Sequence, residues 1–209
     1  MDKRFWAIIG VIIAVFAGIL LFGGNKEDKS GASNAKPTSH LVGNTASKVK
    51  LVEYGDYQCP YCAAFNPIVN QVIEKYKDKI SFQYRNYPLT QIHKNATSSA
   101  RAAEAADEQG KFWEMHDLIF AHQSDWEQSS NASSIFEGYA KQLGLNVTKF
   151  KKDAASSAVN NRINADKAEF NKTKEAASTP TFFLNGKKIQ PEATLEGFSK
   201  LIDAALKKN

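Results

Sequence analysis

Apolar and polar positions divide the chain into three stretches. Phe5 to Phe22 (FWAIIGVIIAVFAGILLF) is an 18-residue run without a charge. That is the short end of what crosses a bilayer as a helix. A buried core helix rarely runs so far without a polar face. Lys3 and Arg4 precede the run, and Trp6 suits a membrane interface. Residues 1–22 are therefore expected to be a single-pass anchor, with the N-terminus cytoplasmic and the remainder outside. A cleaved signal peptide is the alternative. It would carry a shorter apolar region and a small-x-small site, and Leu20 to Gly24 offers no clear Ala-x-Ala. Residues 23–47 are rich in Gly, Ser, Asn, Lys and Thr and predict a flexible linker. Such a chain reaches on the order of 25–30 Å.

The third stretch, residues 48–209, alternates strand and helix patterns. Lys48 to Tyr54 is a β-rich apolar run broken by Gly55-Asp56. From Cys59 to Tyr76, Phe65, Ile68, Val69, Val72, Ile73 and Tyr76 recur at helical spacing. Pro67 falls inside that helix, where a kink is expected. Ile80 to Tyr87 alternates and is aromatic, predicting a second strand, parallel to the first across the helical crossover. Four helical patterns follow: Ala96 to Ala106, Lys111 to His122, Ser133 to Leu143 and Val147 to Ala176. The chain then returns to strand at Thr179 to Leu184, with Thr179-Pro180 opening it. Asn185-Gly186 between two apolar runs marks a hairpin. Leu195 to Leu206 predicts a closing helix. The order β-α-β, helical block, β-β-α predicts an α/β fold with one mixed sheet, covered by helices on both faces.

Composition narrows the function. The net charge of +5 comes from 27 basic and 22 acidic residues, without a concentrated basic block. Nucleic acid is therefore not an expected partner. The chain has two cysteines, Cys59 and Cys62. That excludes a multi-disulfide scaffold and any site of three or four thiolates. His40, His93, His116 and His122 are not paired at ligand spacing, so no metal site is expected.

Cys59-Pro60-Tyr61-Cys62 sits where a strand gives way to a helix. A cysteine at a helix N-terminus faces unpaired N–H groups and the positive end of the dipole. Both favour thiolate, lowering the pKa from about 8.5 toward about 3.5–7.5. Cys62 lies one turn further in. The expected chemistry is thiol–disulfide exchange, with Cys59 exposed to attack and Cys62 resolving. A purely structural disulfide is the bland alternative, but so short a loop stabilises by only about 2 kcal/mol. Glu53, in the apolar strand six residues before Cys59, is a candidate buried carboxylate able to relay protons to Cys62. The general preference of X–Pro bonds predicts a trans Thr179-Pro180 bond. Trp113, His116 and Phe120 read as core. Trp126 and Tyr57 are weaker candidates for a substrate groove. Four Asn-x-Ser/Thr matches read as chance in an Asn- and Ser-rich chain of bacterial character.

These residues resemble the thioredoxin superfamily, and more closely the DsbA-like thiol oxidases with one membrane anchor. The resemblance rests on VEYGDYQCPYC (Val52 to Cys62), YRNYPL (Tyr84 to Leu89), GKFWEMHDLIF (Gly110 to Phe120) and STPTFFLNGK (Ser178 to Lys187). It implies a thioredoxin fold with a helical subdomain inserted at about residues 90–176. It implies Cys59 as nucleophile, Cys62 as buried partner and Glu53 as the buried acid. Thr179-Pro180 becomes a cis bond facing the pair, and Pro60, Tyr61, Thr179 and Pro180 become substrate-binding residues. The sequence departs from many strong oxidases at Tyr61, where these carry His, so the poise of the couple is open.

The reading this supports is an extracytoplasmic thiol oxidase, a monomer held in a bacterial cell membrane by its N-terminal helix. It would introduce disulfides into reduced, unfolded exported proteins. Its redox-active Cys59–Cys62 disulfide would serve without any other cofactor. A membrane quinone-linked reoxidase, DsbB-like or VKOR-like, would restore it. A reductase or isomerase of the same fold, fed by a membrane electron donor, is the first alternative. A non-enzymatic surface module with a structural disulfide is the second.

Overall fold

The computed structural model describes residues 35–208. The expected anchor and the first part of the expected linker lie outside these residues. Among the described residues, no helix is long and apolar enough to cross a membrane.

The strands are β1 (His40–Gly43), β2 (Lys50–Gly55), β3 (Ser81–Asn86), β4 (Thr181–Leu184) and β5 (Lys187–Ile189). They form one mixed sheet in the order β1-β3-β2-β4-β5. β2 and β3 run parallel, joined by α1 (Pro60–Tyr76), as the crossover predicts. The other neighbours are antiparallel. The β4–β5 turn has positive φ at both Asn185 (52°) and Gly186 (76°). That is the twist a two-residue hairpin needs.

The period-2 alternation of β4 places Phe182 and Phe183 on opposite faces. Phe182 packs edge-on against Phe198 of α8 (Leu195–Leu206), with ring centroids 5.1 Å apart. Phe183 joins Tyr54, Tyr87 and Phe170 in a smaller cluster. Phe170 belongs to α7 (Ser157–Lys172). Each fully buried aromatic or aliphatic side chain of this kind contributes roughly 1.5–3 kcal/mol. α8 starts on Thr194, whose hydroxyl accepts from Gly197 N at 3.0 Å. Its Asp203 accepts from Tyr76 of α1 at 2.9 Å.

Between β3 and β4 lies the expected helical block. It comprises α2 (Ala96–Asp107), α3 (Phe112–Ala121), the short α4 (Gln123–Trp126), α5 (Ala132–Gln142), α6 (Val147–Ala154) and α7. Val147 to Ala176 is not one helix. Ser156 accepts from Val159 N and begins α7, ending the run that Asn146 starts by accepting from Lys149 N. A polar side chain that caps outcompetes the continuous helical pattern at that point. His116 and Phe120 are core, and Trp113 is partly buried against it. Trp126 and Tyr57 are also core, at 0% and 1% exposure, so they do not line a groove. Trp126 satisfies its indole N–H on Ile119 O at 2.9 Å.

The second half of the expected linker is not a linker. Residues 35–47 carry β1, which pairs with β3 in the register His40 to Tyr84 through Gly43 to Ser81. Val42 packs on the core and the His40 ring stacks on Phe112, and polar bonds distant in sequence add to these. Thr38 donates from N and Oγ1 to the two carboxylate oxygens of Asp166, both at 2.7 Å. Asp166 also accepts from Asn86 N at 2.9 Å and from Arg85 at 3.3 Å. His40 Nε2 lies 2.6 Å from Glu104, which also takes Arg162 at 3.1 Å. Removing one partner of such a buried network strands the others without water. Asp166→Ala is therefore expected to destabilise the chain by about 3–5 kcal/mol in urea unfolding. A loss under about 1 kcal/mol would show that the 35–47 segment is not held this way.

Candidate active site

The Cys-Pro-Tyr-Cys segment forms the junction of β2 and α1. Cys59 is the N-cap of α1, with φ −70° and ψ 122°. Pro60 occupies the first turn, where its fixed φ suits the helix and its missing N–H costs nothing. Tyr61 projects to solvent at 70% exposure. Cys62 is fully buried, and Cys59, expected to be exposed, is itself only 4% exposed because the Thr179-Pro180 segment packs over its sulfur. Both cysteines are free thiols.

The two thiols are held in opposite directions. Cys59 is lowered from 9.0 to about 6. The hydrogen bond from the Cys62 thiol is the largest cause, followed by Thr179 and the backbone N–H groups of Cys62 and Tyr61, all against burial. Those N–H groups are the orphan donors of the first turn. Cys62 is pushed well above 9.0, chiefly by burial, then by its bond to Cys59 and the nearby Glu53 charge. Its sulfur accepts Asp56 N–H at 3.4 Å.

Glu53 is buried, as expected from its strand. The alternation of β2 puts it on the same face as Leu51, beside Phe182 of β4 and Tyr84 of β3. Burial, then the Cys59 charge, raises it from 4.5 to about 8. At neutral pH it is therefore mostly a neutral acid.

Opposite the cysteines, the Thr179-Pro180 bond is cis, which corrects the trans expectation from general X–Pro statistics and agrees with the resemblance. Thr179 O accepts from the Cys59 thiol at 3.3 Å. A groove of about 240 Å³ runs beside the pair, lined by Tyr61, Phe65, Thr179, Pro180, Ile189 and Pro191 among others. The structure thus gathers Tyr61, Thr179 and Pro180 on one groove, with Cys59 against Thr179. Pro60 does not line that groove; its place is in the helix turn.

Sequence reasoning missed the groups that hold this junction in place. Asp56 accepts from Gln58 N and Leu89 N, both at 2.8 Å, and its carboxylate lies 2.7 Å from His93 Nδ1. Gln58 accepts Asn95 N–H at 2.6 Å and donates to Glu127 O at 2.8 Å. Gln123 donates to Tyr57 O at 2.7 Å and Cys59 O at 3.1 Å. These bonds clamp the loop before Cys59 to the helical block. The Asp-x-Gln order just before the motif fits an Asx-type turn, a signal the residues did offer.

Among the described residues, one cluster has ligand-type side chains in reach of one another. His40, Glu104 and Asp107 bring three ligand atoms within 4.8 Å of one another. The Arg162 guanidinium on Glu104 already supplies the positive charge there.

Fold and cysteine pair together define a class: a domain of thioredoxin fold with a paired-cysteine motif at its strand-to-helix junction. The model of a family described as Thioredoxin matches residues 35–204, and the chain belongs to that family. Solved structures agree on the fold. Oxidised BdbD from Bacillus subtilis superposes with TM-score 0.71 at 24% identity, covering 83% of this chain and 97% of that one. Alpha-DsbA1 from Wolbachia pipientis gives TM-score 0.71 at 21% identity, covering 82% and 92%. Among curated proteins, a segment of Na(+)/H(+) antiporter NhaA 1 from Salinispora arenicola is 36% identical over 168 residues. That match covers 79% of this chain and 24% of the antiporter, so the chain spans about a quarter of that relative's length.

The thiol assignments have a direct readout. Alkylation of Cys59 by iodoacetamide is expected to rise with pH through about 6, because its pKa is lowered and thiolate is present above it. Cys62→Ala removes the largest cause of that lowering and is expected to move the profile upward by a pH unit or more. An unchanged profile would contradict the bond as the cause.

Proposed function

We propose that the chain is an extracytoplasmic thiol oxidase that introduces disulfide bonds into reduced, unfolded exported proteins. The observation that carries this reading is the opposed pair: a Cys59 held toward thiolate against a Cys62 held as thiol.

In the oxidised form, a substrate thiolate attacks Cys59 Sγ. The Cys59–Cys62 bond breaks, and its electron pair goes to Cys62 Sγ. Cys62 is a poor thiolate, so its departure calls for a proton. Glu53, a neutral acid at pH 7, supplies it. A second substrate thiolate then attacks the substrate sulfur bonded to Cys59. The substrate disulfide forms and Cys59 leaves as a thiolate, which its surroundings already favour. Thr179 and Pro180 line the groove on which an extended substrate segment would lie, in the manner of strand addition. Tyr61 and Phe65 offer it apolar contact. A membrane quinone-linked protein would take the electrons from the reduced pair. The apolar run Phe5 to Phe22 would hold the domain to a bacterial membrane on its outer side. No cofactor beyond the disulfide is required by this scheme.

At pH 7, lowering a thiol from 9 to 6 favours the reduced form by at most about 1.4 kcal/mol, or about 30 mV for two electrons. Solvent at the rim of the site screens part of that. The gap between thioredoxin and a strong oxidant is about 150 mV. The sign favours an oxidase; the rest of the gap has to arise from other differences between the two redox states.

The test is ribonuclease. The full-length oxidised chain, mixed in equimolar amount with reduced, unfolded ribonuclease, is expected to lose its disulfide as the substrate gains one. Replacing both cysteines by Ser abolishes the transfer. Failure to oxidise, combined with efficient recovery of activity from scrambled ribonuclease by the reduced chain, would replace the oxidase reading by an isomerase.

A further inference from the structure

A second cavity, of about 530 Å³, lies in the helical block among residues of α2, α5 and α6. Its size is that of a small-molecule site. Its lining includes Ala102, Ala132, Phe136 and Phe150, all buried. It also carries three cations, Lys94, Arg101 and Lys151, against one carboxylate, Glu137. Glu137 is occupied by Lys151 at 3.1 Å. Lys94 reaches the backbone of Gln128 at 2.7 Å.

Arg101 is the distinctive group. It donates from Nη2 to Asn160 Oδ1 at 2.8 Å and from Nη1 to Ala154 O at 3.5 Å, both neutral acceptors. Its Nε is buried without a partner. A part-buried guanidinium with no ion pair among the described residues is costly, and its planar fork matches a carboxylate. The cavity therefore offers an apolar floor with an unneutralised, carboxylate-shaped cation beside it.

Asn95 connects this cavity to the cysteines. It lines the cavity, and its Nδ2 donates to Trp126 O and Ser129 O, both at 2.9 Å. Its backbone N–H donates to Gln58 Oε1 at 2.6 Å, next to Cys59 in the chain. An occupant that shifts Asn95 shifts the loop that sets the Cys59 thiol.

We propose that this cavity binds a small amphiphilic carboxylate, its anionic end on Arg101 and its apolar body on Phe136 and Phe150, and that occupancy changes the reactivity of Cys59. The probe is 4-phenylbutyrate, with 4-phenylbutanol as the uncharged match, titrated calorimetrically into the full-length reduced chain. One saturable site is expected for the acid. Binding is expected to weaken at least tenfold for the alcohol and at least tenfold in Arg101→Gln. Ser133→Trp, at an exposed position on the cavity rim, is expected to block binding while leaving the fold intact by circular dichroism. The rate of Cys59 alkylation is expected to change at least twofold on saturation in the unmodified chain, and not in Ser133→Trp. That readout needs only the free thiol and is independent of oxidase activity. Absence of saturable binding, equal binding of acid and alcohol, or unchanged binding in Arg101→Gln would overturn the site. Saturable binding with an unchanged alkylation rate would overturn the coupling.

Discussion

The strand-to-helix junction that sets Cys59 at the N-cap of α1 and Cys62 one turn further in is the constraint on which the rest of the site depends. It makes the two cysteines unequal. The Cys62 thiol donates to Cys59 and favours charge there, and the same bond, with burial, discourages charge on Cys62. Helix geometry supplies the setting. Cys59 at the N-cap faces open backbone N–H groups and keeps a trace of exposure, while one turn further in Cys62 has none. Glu53 then follows from the sheet: the strand that delivers Cys59 also points this carboxylate into the core, where burial keeps it protonated near neutral pH. Three titratable groups with displaced proton affinities arise from one strand-to-helix junction.

That junction does not stand alone. The loop from Asp56 to Cys59 has short backbone bonds to hold, and several of its polar partners come from the helical block. Asn95, Gln123 and the backbone of Glu127 grip Gln58, Tyr57 and Cys59. Fully satisfied polar networks of this kind fix a geometry more sharply than apolar packing does. The inserted helices thus position the nucleophile as well as cover the sheet.

The residues made much of this legible. Hydrophobic periodicity placed β2, α1, β3 and α8 to within a few positions, and Asn185-Gly186 marked the β4–β5 hairpin. The position of the Cys pair between strand and helix pointed to redox chemistry before any comparison. Glu53 was legible because Val52 and Tyr54 flank it in an apolar strand. What was not legible depends on partners distant in sequence. β1 is a four-residue strand anchored by Asp166 and Glu104, 128 and 64 positions from Thr38 and His40. A window along the chain sees Leu41 and Val42 alone in a segment otherwise rich in Ser, Asn, Lys and Thr. The Gln58–Asn95–Gln123 clamp is hidden for the same reason. The isomer of Thr179-Pro180 was set by resemblance alone, since local statistics favour trans. Val147 to Ala176 lost its break because Ser156 reads as one more polar position until its capping bond is seen.

The most direct measurement of the central claim is the reduction potential of Cys59–Cys62 in the full-length chain, equilibrated against glutathione. A thiol oxidase, to which the favoured Cys59 thiolate contributes up to about 30 mV, is expected to lie on the oxidising side of thioredoxin, toward about −120 mV. A value at or below about −270 mV, where thioredoxin lies, would contradict it.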